Sequence, residues 1–361
     1  MVQKVLRNLN KQPSYRFVIA YPYTNDGPYK AAFGTFNCSD SIARFVGFWP
    51  HTLPGKMLLR LSYSERWRFP LKRQLIDRFN KKISRVIINA LHQIPGEGDM
   101  CLIINQFMYS PVKNGTLEML RTECPELKAI YYFSDLVQLD KRRMKICSNR
   151  EQFQADAIIT YDQYDAARYK LHHFPLPFSL SKVEGENAAE DYDVCFIGRA
   201  KERYPDILSV YDELTAKGIK CHFTVVTEGM KLTERRPGIH YQKHMIPYRK
   251  YLQIENNSRC ILEIVQEGSC GYTTRIPEAV FLSKRIISNN LKLKEDRFFD
   301  PLNMLVFEKT EQITASFIKN DQEIYYSREF QEIFKPESFL SFITEILDEK
   351  GTSKKSIDGK R

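Results

Sequence analysis

Residues 260–279 read Cys260-Ile-Leu-Glu-Ile-Val265-Gln266-Glu-Gly268-Ser-Cys-Gly271-Tyr-Thr273-Thr274-Arg275-Ile-Pro277-Glu278-Ala279. A strongly apolar run over Cys260–Val265 gives way to a polar turn with two glycines and then to a helical pattern. Short apolar runs of this kind are strands buried on both faces of a parallel sheet. Two glycines and two threonines at the strand-to-helix turn offer backbone N–H groups and hydroxyls to phosphate oxygens. The fork of Arg275 matches phosphate geometry, and Glu278, one helical turn past Thr274, is placed to accept ribose hydroxyls. A plain capped helix also explains Thr274 and Glu278, but it does not explain the paired glycines.

Outward from this segment, short apolar runs alternate with longer amphipathic stretches, the signature of a parallel α/β architecture. In the first half, strands are expected at Arg16–Tyr21, Met100–Asn105, Lys128–Phe133 and Ala157–Tyr161. A helix is expected over Leu71–Leu91, with Leu71, Leu75, Phe79, Ile83, Val86 and Ala90 in a 3.6-residue period. The segment 174–192 (FPLPFSLSKVEGENAAEDY), rich in proline, serine and acidic residues, reads as a linker. Beyond it, strands are expected at Asp193–Ile197, Cys221–Thr227, Arg259–Val265, Arg285–Ser288 and Met304–Phe307. Helices are expected at Arg203–Lys217, Tyr248–Asn256, Thr274–Leu282 and Glu337–Asp348. The expected division is therefore a basic α/β domain over 1–175, a linker over 176–192, a second α/β domain over 193–335, a helix over 336–349 and a frayed tail over 350–361. Ligands of open α/β sheets bind beyond the carboxyl ends of the strands.

Two further segments carry chemistry. In Asp193-Val-Cys-Phe-Ile-Gly198-Arg199-Ala-Lys201-Glu-Arg203 a buried strand runs into glycine, three cations and a helix. The glycine lets the backbone turn beneath a ligand, and the cations and helix start favour an anion. A strand-turn-helix with solvated charges is the alternative. Thr224-Val-Val-Thr227-Glu228-Gly229 ends a strand in a turn, with His240-Tyr241 and Met245-Ile-Pro-Tyr248 downstream. In a nucleotide site these residues border the base; core strand and loop explain each one singly.

Together, "ITYDQYDAARYKLHHFPLPF", "DVCFIGRAKERY", "YRKYLQIENNSRCILEIVQ" and "QEGSCGYTTRIPEAVFLSKRIISNN" resemble the donor domain of GT-B glycosyltransferases, specifically bacterial enzymes that build surface polysaccharide or lipopolysaccharide. The resemblance covers about Ala157 to Phe307; before that only the strand pattern agrees. It implies two Rossmann-like domains facing a central cleft, and transfer of a sugar from a nucleotide-diphosphate sugar to an acceptor hydroxyl. By similarity, Gly198, Lys201 and Arg203 face the diphosphate from one loop, and Gly271, Thr273, Thr274 and Arg275 from another. Glu278 falls at the family's ribose-binding glutamate, and Thr227 and Tyr248 border the base. Fixed donors aimed at the leaving diphosphate lower the barrier, so the resemblance implies no obligatory metal and no cofactor.

Many retaining members carry two glutamates separated by seven residues. With Glu278 as the second, the first falls at Cys270, which points to inversion. Inversion needs a base near the acceptor hydroxyl. Asp135, just after the strand Lys128–Phe133, is the first candidate, and Asp26, in the turn Thr24-Asn-Asp-Gly27, the second; each also suits a turn or cap. Asp191-Tyr-Asp193 has the spacing of a metal-binding D-x-D, but it precedes its strand, away from the carboxyl end.

The 361 residues carry 54 Lys and Arg against 44 Asp and Glu, a net charge of +10. Residues 1–180 hold 26 of those cations and 15 of the anions, net +11; the remainder holds 28 and 29, net −1. Arg66, Arg68, Lys72, Arg73, Arg78, Lys81, Lys82 and Arg85 cluster with Trp67, Phe69 and Phe79, as on a helix lying at an anionic membrane surface. A solvated helix face is the alternative. No signal peptide is expected from the polar, basic N-terminus, no apolar run approaches a membrane span, and no C-x-x-C pair occurs among the eight cysteines. The expected location is cytoplasmic, peripheral at the inner face of the membrane, with a lipid-linked or surface-glycan acceptor. Competing classes are a transferase of polyol phosphate or of a CMP-sugar on the same fold, a catalytically dead scaffold, and a basic nucleic-acid-binding protein. No motif that reads RNA or DNA appears, so a nucleic-acid partner is not expected.

Overall fold

The computed structural model describes residues 15–358 except 23–26, 38–40, 51, 65, 67, 181–190 and 233, with side chains as far as residue 350. The chain divides into two compact units. The first holds β1 (Tyr15–Tyr21), β2 (Ala43–Gly47), β3 (Asp99–Asn105), β4 (Lys128–Phe133), β5 (Ala157–Thr160) and β6 (His172–His173). They form one parallel sheet in the order β2-β1-β3-β4-β5-β6. The second unit holds β7 (Tyr192–Arg199), β8 (Cys221–Val226), β9 (Ile239–Gln242), β10 (Ser258–Glu263), β11 (Arg285–Ser288) and β12 (Met304–Val306). Their parallel sheet has the order β12-β11-β10-β7-β8-β9. Each unit is a Rossmann-like α/β layer structure, and two such units are the composition of the GT-B fold.

Both sheets reverse their winding beside their first strand: between β1 and β3 in one, between β7 and β10 in the other. Such reversals open a crevice at the strands' carboxyl ends. The helices that matter for function are α1 (Leu53–Tyr63), α2 (Lys72–His92), α3 (Lys141–Ser148), α4 (Tyr204–Ala216), α5 (Tyr248–Asn256), α6 (Arg275–Leu282) and α7 (Pro336–Asp358).

The central strands are buried because their apolar runs are covered on both faces. Val18, Leu102, Ile104, Ala129 and Tyr131 join the inward face of α2 in one core, and Val194, Phe196, Phe223, Leu262 and Ile287 join α4 in the other. The buried face of α2 is Asn80, Ile83, Ser84, Ile87, Ile88, Ala90 and Leu91, whereas Leu71 lies outside and is 58% exposed. The expected stripe is thus displaced in its first half. Asn80 occupies an inward position because its amide donates to the Asn114 carbonyl at 2.6 Å and its oxygen accepts from Thr116 at 2.8 Å.

The last helix corrects the expected C-terminus. It runs Pro336–Asp358, taking in most of the segment expected to fray, and it belongs to the first unit. Phe339, fully buried, packs its ring 4.7 Å from Tyr132 and 5.1 Å from Phe174. Part of the expected linker is also fixed: Phe178 donates its N–H to Phe334 at 2.7 Å and packs on Phe281. The sequence reading did not anticipate β2, β6, β9 or α1. Residues 172–173 are too short to carry a pattern, β9 (IHYQ) is half exposed, and α1 carries Pro54 and Gly55 in its first turn.

Candidate functional site

The second unit's winding reversal brings together most of the residues singled out in the sequence. β7 ends in Gly198-Arg199, beside the loop that leaves β10. A β-carbon at position 198 would stand 2.6 Å from Arg275 Nη2 and 3.4 Å from Arg203 Nη2. A side chain at 198 would have to displace the Arg275 guanidinium, so glycine is what lets that group lie against the backbone here. Arg275, the first residue of α6, donates from Nη2 to the Ile197 carbonyl, and its guanidinium carbon lies 5.2 Å over the Phe196 ring. Its Nε is a buried donor without an acceptor. Arg203 donates to the carbonyls of Arg199 at 3.1 Å and Ile264 at 2.5 Å. Burial, reinforced by the Arg275 charge, lowers the Arg203 pKa to about 10.

Lys201 holds a left-handed backbone, φ +46°, and its ammonium donates to Gln266 at 3.1 Å. A non-glycine residue in that region is held there by its surroundings at some cost in strain. That geometry ties the loop after β7 to the loop after β10.

Beneath these cations lie three buried carboxyl groups, and two of them were not singled out in the sequence. Glu263, in the register pair Glu263–Ser288, accepts from the hydroxyls of Ser288 and Thr273, so Thr273 is turned toward the sheet. Burial raises the Glu263 pKa against those two bonds. Glu278 is fully buried; its oxygens accept from Tyr248 at 2.6 Å and Tyr251 at 2.8 Å. The carboxylate expected to reach ribose hydroxyls is thus held by two phenols. Burial pushes it up to about 7, although both tyrosines and Arg275 pull it down. Glu255, 1% exposed, lies well above the usual carboxylate range through burial and then the Glu278 charge. The two carboxyl groups are coupled through one buried polar network. For Arg275, burial opposes the charge, but Tyr251, Glu278, Glu255 and Glu263 outweigh it and raise the pKa.

A charged residue inside an apolar strand was the signal for Glu263, and the helical spacing Tyr248, Tyr251, Glu255 was the signal for the other. Gly271 is buried and Thr274 is half-buried ahead of α6. Thr227 follows β8 and donates its N–H to Gln242 at 2.9 Å, on the far side of β7 from β10.

The first-unit candidates lie elsewhere in the chain. Asp135 follows β4, at the carboxyl edge; its Oδ1 accepts from the Leu136 N–H at 2.9 Å and its Oδ2 is 3.8 Å from Arg143. Its side chain is 42% exposed. Asp26 lies outside the described residues. On α2 and the segment before it, Arg66, Arg68, Arg73, Arg78, Lys81, Lys82 and Arg85 are exposed, and Lys72 donates to the Ser64 carbonyl. Asp193 and Asp191, at the start of β7, accept from the Lys220 N–H at 2.8 Å and from Asn257 at 3.1 Å. Among the described residues no helix is long and apolar enough to cross a membrane.

No family model matches the chain, and no curated protein does. Among solved structures it is similar to the glycotransferase of kitacinnamycin, at 9% identity and TM-score 0.45 over 93% of this chain and 100% of that one. It is also similar to the trehalose-6-phosphate phosphatase N-terminal domain of Candida albicans, at 10% identity and TM-score 0.49 over 93% and 99%. A third is an E. coli trehalose-6-phosphate structure bound with UDP-2-fluoro glucose, at 9% identity and TM-score 0.46 over 94% and 98%.

Proposed function

We propose that the protein is a glycosyltransferase that moves a sugar from a nucleotide-diphosphate sugar to the hydroxyl of a lipid-linked or surface-glycan acceptor, with inversion and without an obligatory metal. The observation that carries this reading is the meeting of Gly198, Arg203 and Arg275 at the winding reversal of the second sheet. A backbone without a side chain, two buried cations and an unspent guanidinium N–H are what a diphosphate requires of its site.

In this reading the acceptor oxygen attacks the anomeric carbon, and the bond from that carbon to the diphosphate oxygen breaks. The electron pair leaves on the diphosphate, where Arg275 and Arg203 hold the charge that develops. The acceptor proton passes to Asp135, whose partly exposed side chain follows β4 at the carboxyl edge of the first sheet. The cell-envelope setting in a bacterium comes from the sequence resemblance. Contact with the anionic inner face of the membrane is supported by α1: Leu53, Met57, Leu58 and Leu61 are exposed in helical spacing, close in sequence to the exposed cations of α2.

The test is turnover with a panel of UDP-, GDP-, ADP-, dTDP- and CMP-sugars, reading free nucleotide and the anomeric configuration of the product. Release of one nucleoside diphosphate, lost in Arg275→Ala, is expected. Turnover of a CMP-sugar alone would favour the CMP-sugar transferase instead.

A further inference from the structure

The first unit contains a cavity of about 750 Å³ that the donor site does not involve. Its walls come from the ends of three strands of the first sheet. Trp49 lies two residues past β2, Phe107 and Tyr109 follow β3, and Lys141, Arg142 and Lys145 are on α3, the first helix after β4. Arg60 of α1, Arg66 from the segment between the helices and Lys72 at the start of α2 line it as well, and Lys113 adds a seventh cation. Among the described residues no acidic side chain lines it. Among the described residues, Arg60, Arg66, Lys141, Arg142 and Lys145 have no carboxylate within 4 Å, although Asp135 and Asp140 lie nearby, paired with the buried Arg143. Phe107 is 41% exposed, an aromatic face left open at the same place.

We propose that this cavity binds a phosphate-bearing group, and that the acceptor of the transferase carries it; the second clause rests on the function proposed above, the first does not. Concave surfaces lined by charge of one sign concentrate the opposite ion, and like charges around one cavity repel until an anion enters. Five of these seven cations have no carboxylate partner among the described residues, and the arginine forks suit phosphate oxygens pairwise. The aromatic rings give the attached carbon skeleton an apolar surface, and the volume is that of a small-molecule site. The position agrees, because the cavity opens at the carboxyl edge of a doubly wound sheet. The phosphate source is a soluble sugar phosphate or the phosphate of a lipid carrier, two forms of one chemistry.

The experiment measures binding to the full chain of inorganic pyrophosphate, hexose phosphates, the same hexoses without phosphate, and phosphatidylglycerol vesicles. It is run in wild type and in the Arg275→Ala background, where the second unit's site no longer contributes. Binding of a phosphorylated probe but not of its unphosphorylated partner is expected in both. It should weaken at least tenfold in Lys141→Ala/Arg142→Ala/Lys145→Ala and fall with rising salt. Those three side chains are exposed, so the fold survives their loss, and circular dichroism checks it. Capture by vesicles alone, abolished by the triple variant, identifies the lipid carrier as the source. Absence of any phosphate-dependent binding, or binding that the triple variant leaves unchanged, overturns the proposal. If nucleotides fail to bind while phosphate binding persists, the transferase reading fails and the cavity's does not.

Discussion

Gly198 and Arg275 meet so closely that a β-carbon on the first would stand 2.6 Å from the guanidinium of the second. Seventy-seven positions apart in sequence, the end of β7 and the start of α6 meet within a few ångströms. Gly198→Ala must displace Arg275 or the strand end. We expect a loss of about 1–3 kcal/mol in urea unfolding, the usual range for overpacking, and loss of nucleotide binding. Unchanged stability with unchanged binding would mean that the contact is slack.

The buried carboxyl pair predicts a pH dependence. The folded pKa of Glu278 is raised to about 7, and that of Glu255 is raised as well. A carboxyl group with a raised folded pKa contributes stability that is present below its unfolded value and is lost as pH rises through its folded value. Wild type should therefore lose stability relative to Glu278→Gln between about pH 4.5 and pH 7, by an amount on the order of 1–3 kcal/mol. Urea midpoints at pH 5 and pH 8 check this, and a pH-independent difference between the two proteins contradicts it.

Much of the fold was legible because the central strands are buried on both faces and keep unbroken apolar runs; Lys128–Phe133 and Arg285–Ser288 agree residue for residue. The edges were less legible, since β6 and β9 are short and half exposed. In the second unit the glycine and the cations were visible as local motifs. What was not visible is that Arg203 and Arg275 spend donors on backbone carbonyls, and that Thr273 and Glu278 turn inward onto Glu263 and two tyrosines. Those partners lie 10 to 78 residues away along the chain, beyond any spacing rule. The cavity of the first unit was hidden for the same reason, since its cations come from several separate segments.

Asp135 is the candidate base, and its removal should separate chemistry from binding. Asp135→Asn keeps the acceptor for the Leu136 N–H but cannot take a proton. A fall in kcat of about 10²–10⁴-fold with an unchanged nucleotide-induced rise in Tm is expected. Retained kcat would move the base elsewhere, with Asp26 next to be tested.

The proposed membrane contact is supported by exposed apolar side chains of α1, close in sequence to exposed cations. Leu53, Met57 and Leu61 are 72%, 57% and 36% exposed, so replacing all three with serine should alter Tm little. Sedimentation with phosphatidylglycerol vesicles should drop severalfold, and should drop also at high salt for wild type. Equal sedimentation of both proteins would remove α1 from the interface.

The central claim is that the second unit holds a nucleoside diphosphate against Arg275. The most direct measurement is a thermal-shift panel of UDP, GDP, ADP, dTDP and CMP on wild type and Arg275→Ala. One diphosphate should raise the wild-type Tm, by an amount that grows with concentration as mass action requires, and the variant should lose that rise. No rise with any nucleotide at millimolar concentration, or an equal rise in the variant, contradicts the claim.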